Sequence, residues 1–299
     1  MPFSLLLPLM LAQGDPAGIA SPYVSALPRE IVEKKAAQDR KRREEAAQSV
    51  ALPAPRSRAG CLGAVEADPA RSAEVARQAL ADATGHERVR AGLCLGVALS
   101  DLGQWSDARE AFVNARDAAA GDDHPSRARL GAMAGNAALA AGQPGQALSL
   151  LGPAASDAQA ANDTALTASI ALDRARALVA LNQPDEAAAA LAQARAAVPD
   201  FAQAWLLSAT LSRRQNKLIE AQAQIEKAAQ LAPRDPEVGL EAGVIAMLSG
   251  KEEAARRSWT SVLAMAPQSD AAATAKQYLA QLSPDGQGAR AAVKAAARP

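Results

Sequence analysis

Apolar residues in the second half of the chain fall at helical spacing in paired blocks, each pair divided by a short polar turn. Ala202 to Gln215 forms one block, Asn216 marks the turn, and Ile219 to Leu231 forms the next, closed by Pro233. The unit recurs from Glu237 through Gly250 to Met265. Cys61 to Ala83 carries an apolar stripe of Val65, Ala73, Val75, Ala76 and Leu80 after Asp68-Pro69, which predicts a helix capping the array at its start. Ser269 to Leu282, with Ala272, Ala275, Tyr278, Leu279 and Leu282, predicts the matching helix at its end.

The blocks are periodic. Pro199, Pro233 and Pro267 stand 34 residues apart, and so do Ala187, Ala221 and Ala255. Aligning backwards on that alanine adds Ala147 and Ala108, at spacings of 40 and 39 residues. The extra residues are assigned to linkers, Gly121 to Pro125 and Ser156 to Asp163, where insertion between hairpins costs little. Four positions after each fixed alanine comes a large apolar residue: Phe112, Leu151, Leu191, Ile225, Trp259. Each first helix has a small residue at its middle: Gly96, Gly135, Ala175, Ala209, Gly243. Antiparallel helices approach closely only where such small side chains face a partner, and the large residues fill the space between hairpins. Gly103, Gly142 and Gly250 supply a left-handed residue at hairpin turns.

This period, with its small residues, turn glycines and terminal prolines, resembles the tetratricopeptide-repeat family over about Val89 to Pro267. The resemblance implies an all-α, right-handed solenoid of about five helical hairpins, capped at both ends. It also implies a concave groove lined by the first helix of every hairpin, a cradle for an extended or helical peptide. The expected groove positions include Arg90, Leu93, Val97, Met133, Asn136, Leu172, Arg176, Leu206, Thr210, Arg213 and Arg214. Of these, Arg90, Asn136, Arg176, Thr210, Arg213 and Arg214 are the expected partner-binding residues, able to hydrogen-bond a peptide backbone or carboxylate. The family's two-carboxylate clamp of Lys and Asn is not reproduced, which disfavours chaperone C-terminal tails as ligands. The usual bulky residue early in the first helix is present as Trp205 but is Gly92, Gly131, Ala171 and Gly239 elsewhere, so the first three hairpins are expected to pack weakly.

Composition narrows the function. About a quarter of the 299 residues are Ala and only 3% are aromatic, which argues against a sandwich or barrel. Lys+Arg equals Asp+Glu at 32 each, so no global field draws the chain to nucleic acid or anionic lipid. Two histidines, His86 and His124, and two cysteines, Cys61 and Cys94, assemble no metal set, and no cofactor is expected. Both histidines read as exposed loop residues. The acid pair Asp122-Asp123 reads as a loop and Glu252-Glu253 as a helix start, where capping and dipole effects account for them, and Trp105, Trp205 and Trp259 read as core anchors. No nucleophile motif or phosphate loop accompanies them, so the expectation is a non-enzyme.

Met1 to Ala12 is an uncharged apolar run of signal-peptide character, too short to span a bilayer, with no basic residue before Arg29. Residues 1–20 are therefore read as a signal peptide and 21–58 as a charged, Pro- and Ala-rich linker or solvated helix. Residues 59–282 are read as the solenoid and 283–299 as a disordered tail. Export to a periplasm, the alternative being the cytoplasm, would permit a Cys61–Cys94 disulfide. The expected role is a scaffold that binds a protein or peptide partner in the envelope, with no nucleic acid and no transmembrane span. The alternative is a self-associating structural oligomer.

Overall fold

Alanine, the strongest helix former, dominates a chain poor in β-branched and aromatic residues, and helix is what it forms. The computed structural model describes Val65 and residues 67–282, and these contain twelve α-helices and no strand. They are α1 (Pro69–Asp82), α2 (Gly85–Asp101), α3 (Trp105–Ala118), α4 (His124–Ala140), α5 (Pro144–Ala160) and α6 (Thr164–Ala180). The others are α7 (Pro184–Ala197), α8 (Ala202–Arg214), α9 (Leu218–Leu231), α10 (Pro236–Leu248), α11 (Glu252–Met265) and α12 (Asp270–Gln281). The expected signal peptide, charged linker and tail lie outside the described residues.

Helix boundaries follow local chemistry. Asp68, Asp123, Asp163, Asp235 and Ser269 each accept a backbone N–H from the first turn of the helix that follows. Pro69, Pro144, Pro184 and Pro236 occupy first helical positions, where the missing N–H has no intrahelical partner to lose. Within each hairpin the first helix ends on one left-handed residue: Gly103, Gly142 or Gly250, and in the other two hairpins Asn182 or Asn216. The residue after it donates to the carbonyl five positions back, as Gln104 N–H does to Leu99 at 2.9 Å and Lys217 N–H to Ser212 at 2.8 Å.

Two expectations are corrected. Ser156 to Ala160 is not linker but the last turns of α5, and only Ala161 to Asp163 connects to α6. The longer period of the early units comes chiefly from longer helices: α4, α5 and α6 have 17 residues each, against 13 or 14 in α7 to α11. The first three hairpins are also not weakly packed; their longer helices make contact at least as extensive as in the last two. A Cβ on Gly92 or Gly131 would lie 2.7 Å from Ala115 Cβ or 2.8 Å from Ala154 Cβ. Glycine at that register brings the two backbones together where a bulky residue would hold them apart.

Phe112, Leu151 and Trp259 lie against Gly96, Gly135 and Gly243, Leu191 and Ile225 share core clusters with Ala175 and Ala209, and all five large residues are buried. Each contributes roughly 1.5–3 kcal/mol through burial of its apolar surface. Successive helices pack in order along the chain. In addition, α4 touches α6, α8 touches α10 and α10 touches α12, whereas second helices make no comparable contact with one another. First helices therefore lie on the inner side of the curve. α12 closes the far end against α10 and α11.

Candidate functional site

The inner face is built from residues that sit at matching registers in successive first helices. Two positions before the small central residue come Cys94, Met133, Asp173, Leu207 and Glu241; one position after it come Val97, Asn136, Arg176, Thr210 and Val244. Polar groups are concentrated on α4, α6, α8 and the middle of α10.

Asp173 is buried beneath this surface, its side chain 4% exposed, and Arg176 Nη1 donates to it at 2.8 Å from a guanidinium that is 46% exposed. Asn136 of α4 also hydrogen-bonds the carboxylate, joining α4 to α6. Burial, the largest influence, holds the Asp173 carboxyl above the usual carboxylate range against the Asn136 hydrogen bond and the Arg176 charge. Arg213 is taken up within the stack: its Nε donates to Glu241 at 2.6 Å, with side chains 14% and 13% exposed, tying α8 to α10. Arg214, one residue on, is exposed at the end of α8.

A cavity of about 190 Å³ opens between α6 and α8, lined by Ala175, Arg176 and Val179 of α6, Leu191 of α7, and Leu207, Thr210, Leu211 and Arg214 of α8. The α8 residues are spaced three and four apart and so share one helix face. Thr210 Oγ1 donates to the Leu206 carbonyl at 3.1 Å. Arg176, Thr210 and Arg214 of the expected groove set thus meet at one place. Arg90 is exposed on α2 and Asn136 on α4, away from this cavity. Leu172 and Leu206 are core residues rather than groove lining. The sequence reading missed Asp173, Glu241, Val179 and Leu207. Its available signal was a carboxylate at a register that is Met133 or Leu207 elsewhere.

A larger cavity, about 410 Å³, lies between α1 and α2 and includes Arg71, Val75 and Cys94. Val75, expected in the buried stripe, is 57% exposed there. Cys94 is disulfide-bonded; Cys61 lies outside the described residues.

No family model matches the sequence, and no curated protein matches it. Solved structures do. PilF of Pseudomonas aeruginosa is 16% identical, with 74% of this chain and 94% of PilF covered at a TM-score of 0.57. PilW, a widely conserved type IV pilus biogenesis factor, is 19% identical, with 70% and 91% covered at 0.57. BtubC of P. vanneervenii is 15% identical, with 68% and 91% covered at 0.56. The chain has the tetratricopeptide-repeat fold.

Within that fold the remaining candidates are structural. His124 is not a loop residue; it opens α4, and its Nδ1 lies 3.0 Å from Asp157 Oδ1. Asp157 is buried on α5 and also receives Arg116 Nη2 at 3.1 Å and faces Arg127 Nε at 3.5 Å. Burial pushes its carboxyl upward, but these hydrogen bonds and charges outweigh it and hold it below the usual range. His86 is exposed in the first turn of α2. Trp259 is a core anchor and donates Nε1 to the Leu240 carbonyl at 3.1 Å. Trp105 is 38% exposed at the start of α3, and Trp205 is half-buried beneath the Arg195 guanidinium, 4.7 Å from its ring centre; neither is a core anchor in the tetratricopeptide-repeat stack. Among the described residues no cluster of three His, Cys, Asp or Glu is placed to hold a metal, and no helix is long and apolar enough to cross a membrane.

Proposed function

We propose that the chain is a non-catalytic interaction scaffold of the cell envelope that holds a partner protein or peptide on its inner face. The observation that carries this reading is the convergence of Arg176, Thr210 and Arg214 on one apolar-floored cavity between two first helices. Apolar floor with a few convergent polar groups is the general anatomy of a recognition pocket, and a groove between helices is a standard seat for a peptide. The envelope assignment is supported by the apolar Met1 to Ala12 run and by the disulfide at Cys94, a bond suited to an oxidising compartment. The sequence holds one other cysteine, Cys61, and the expected pairing is Cys61–Cys94.

A photo-crosslinking residue placed at Thr210 in the full chain, expressed in its native cell, is expected to yield a discrete partner adduct. The same residue at Glu226 on α9, an exposed second-helix site, should not. Equal adducts from both sites would dismiss the groove. A fusion of alkaline phosphatase after Pro299 should be active if the chain is exported, and an inactive fusion of normal abundance would move the protein to the cytoplasm.

A further inference from the structure

The cavity between α6 and α8 joins two chemistries. Its floor, Val179, Leu191, Leu207 and Leu211, is hydrocarbon, while its rim carries Arg176 and Arg214. It exists because α6 and α8 stand apart, whereas α4 closes on α6 and α8 on α10. At about 190 Å³ it has room for one aliphatic side chain.

The charge around it is one-sided. Asp173 answers Arg176 from below, so the face presented to a ligand is the guanidinium, with donors left over from the single Asp173 contact. Glu241, the nearest groove acid on α10, is engaged by Arg213. Among the described residues Arg214 has no carboxylate in ion-pair reach. An incoming segment therefore meets two guanidinium groups above an apolar floor and no unengaged carboxylate on the lining. Guanidinium pairs carboxylate in a two-pronged geometry that ammonium or amide partners do not match.

We propose that this cavity anchors an aliphatic side chain of a partner peptide whose neighbouring Asp or Glu pairs with Arg214 and Arg176. The assignment rests on the scaffold reading and names the chemistry of its ligand. Random peptides displayed on phage and selected on the purified full chain provide the probe, followed by binding of the enriched peptides to two variants checked for native helicity by circular dichroism. Arg214→Glu reverses an exposed charge, and Val179→Trp fills the cavity from its floor.

The enriched peptides should share an aliphatic residue flanked by Asp or Glu. Their affinity should fall at least about tenfold in each variant and weaken with added salt. Enriched peptides without acids, or acidic peptides indifferent to Arg214→Glu, would overturn the charge assignment; if Val179→Trp still abolishes their binding, the groove reading survives. Peptides indifferent to both variants, or no enrichment at all, would overturn both.

Discussion

A single missing carbon sets the spacing of these helices. A Cβ on Gly243 would lie 2.1 Å from Trp259 Nε1, and one on Gly135 would lie 2.5 Å from the Leu151 side chain. Alanine is favoured over glycine in a helix by up to about 1 kcal/mol. Overpacking against a fully buried Trp costs about 1–3 kcal/mol. Gly243→Ala is therefore expected to lower unfolding free energy by about 1–2 kcal/mol. Gly145→Ala in the first turn of α5, where a Cβ would meet nothing within 4 Å, should raise it slightly. Denaturant midpoints of the two variants check this, and a stabilised Gly243→Ala would show that the hairpin has slack.

Asp157 offers the complementary electrostatic test. Its folded carboxyl is held below the ordinary value, so its contribution is complete above the unfolded range near 3.8 and is lost as pH falls through the depressed folded value. Asp157→Asn should cost about 2 kcal/mol at pH 7, by loss of charged hydrogen bonds from Arg116 and His124. That deficit should shrink toward zero as the wild type is acidified, which urea titrations at several pH values would read. A pH-independent deficit would assign the effect to shape alone. The small-residue rows were legible in the sequence because they repeat. Asp157 was not, because its three partners lie on two other helices, Arg116 on α3 and His124 and Arg127 on α4, and none is set by a local motif.

Turns at the level of the helix were readable where glycine marked them and at Asn216. Asn182 does the same work with a side chain that tolerates the left-handed region, a weaker signature in sequence. Helix lengths were misread for a related reason: polar residues such as Ser156 and Asp157 mimic a linker but continue α5, where Asp157 finds its ion partners. Arg213 and Arg214 are adjacent in sequence yet separate in role, because the helical turn of about 100° aims one at Glu241 and leaves the other in solvent. At the start of the stack, Cys94 of α2 is disulfide-bonded. Cys94→Ala is expected to cost about 2–4 kcal/mol, reproduced by dithiothreitol on the wild type and absent when the reductant is added to the variant. A non-reducing digest should show the Cys94 peptide joined to that of Cys61. A Cys94–Cys94 cross-link would instead make the bond intermolecular.

Across the whole stack, contact between successive hairpins is uneven. α3 on α4 and α5 on α6 are extensive, while α7 on α8 and α9 on α10 are thinner. In a repeat array stability is close to a sum of unit and neighbour terms, so thin junctions set where the array parts. Hydrogen exchange should find the amides of α8 to α12 opening before those of α2 to α6, and uniform protection would indicate a single cooperative block. Because each helix finds its substantial partners within the next two along the chain, little loop-closure entropy stands between synthesis and structure. A hairpin has all the residues it needs soon after it leaves the ribosome, and each later hairpin docks on a surface already formed. The nascent chain can thus assemble as it is made, from its first helix toward its last.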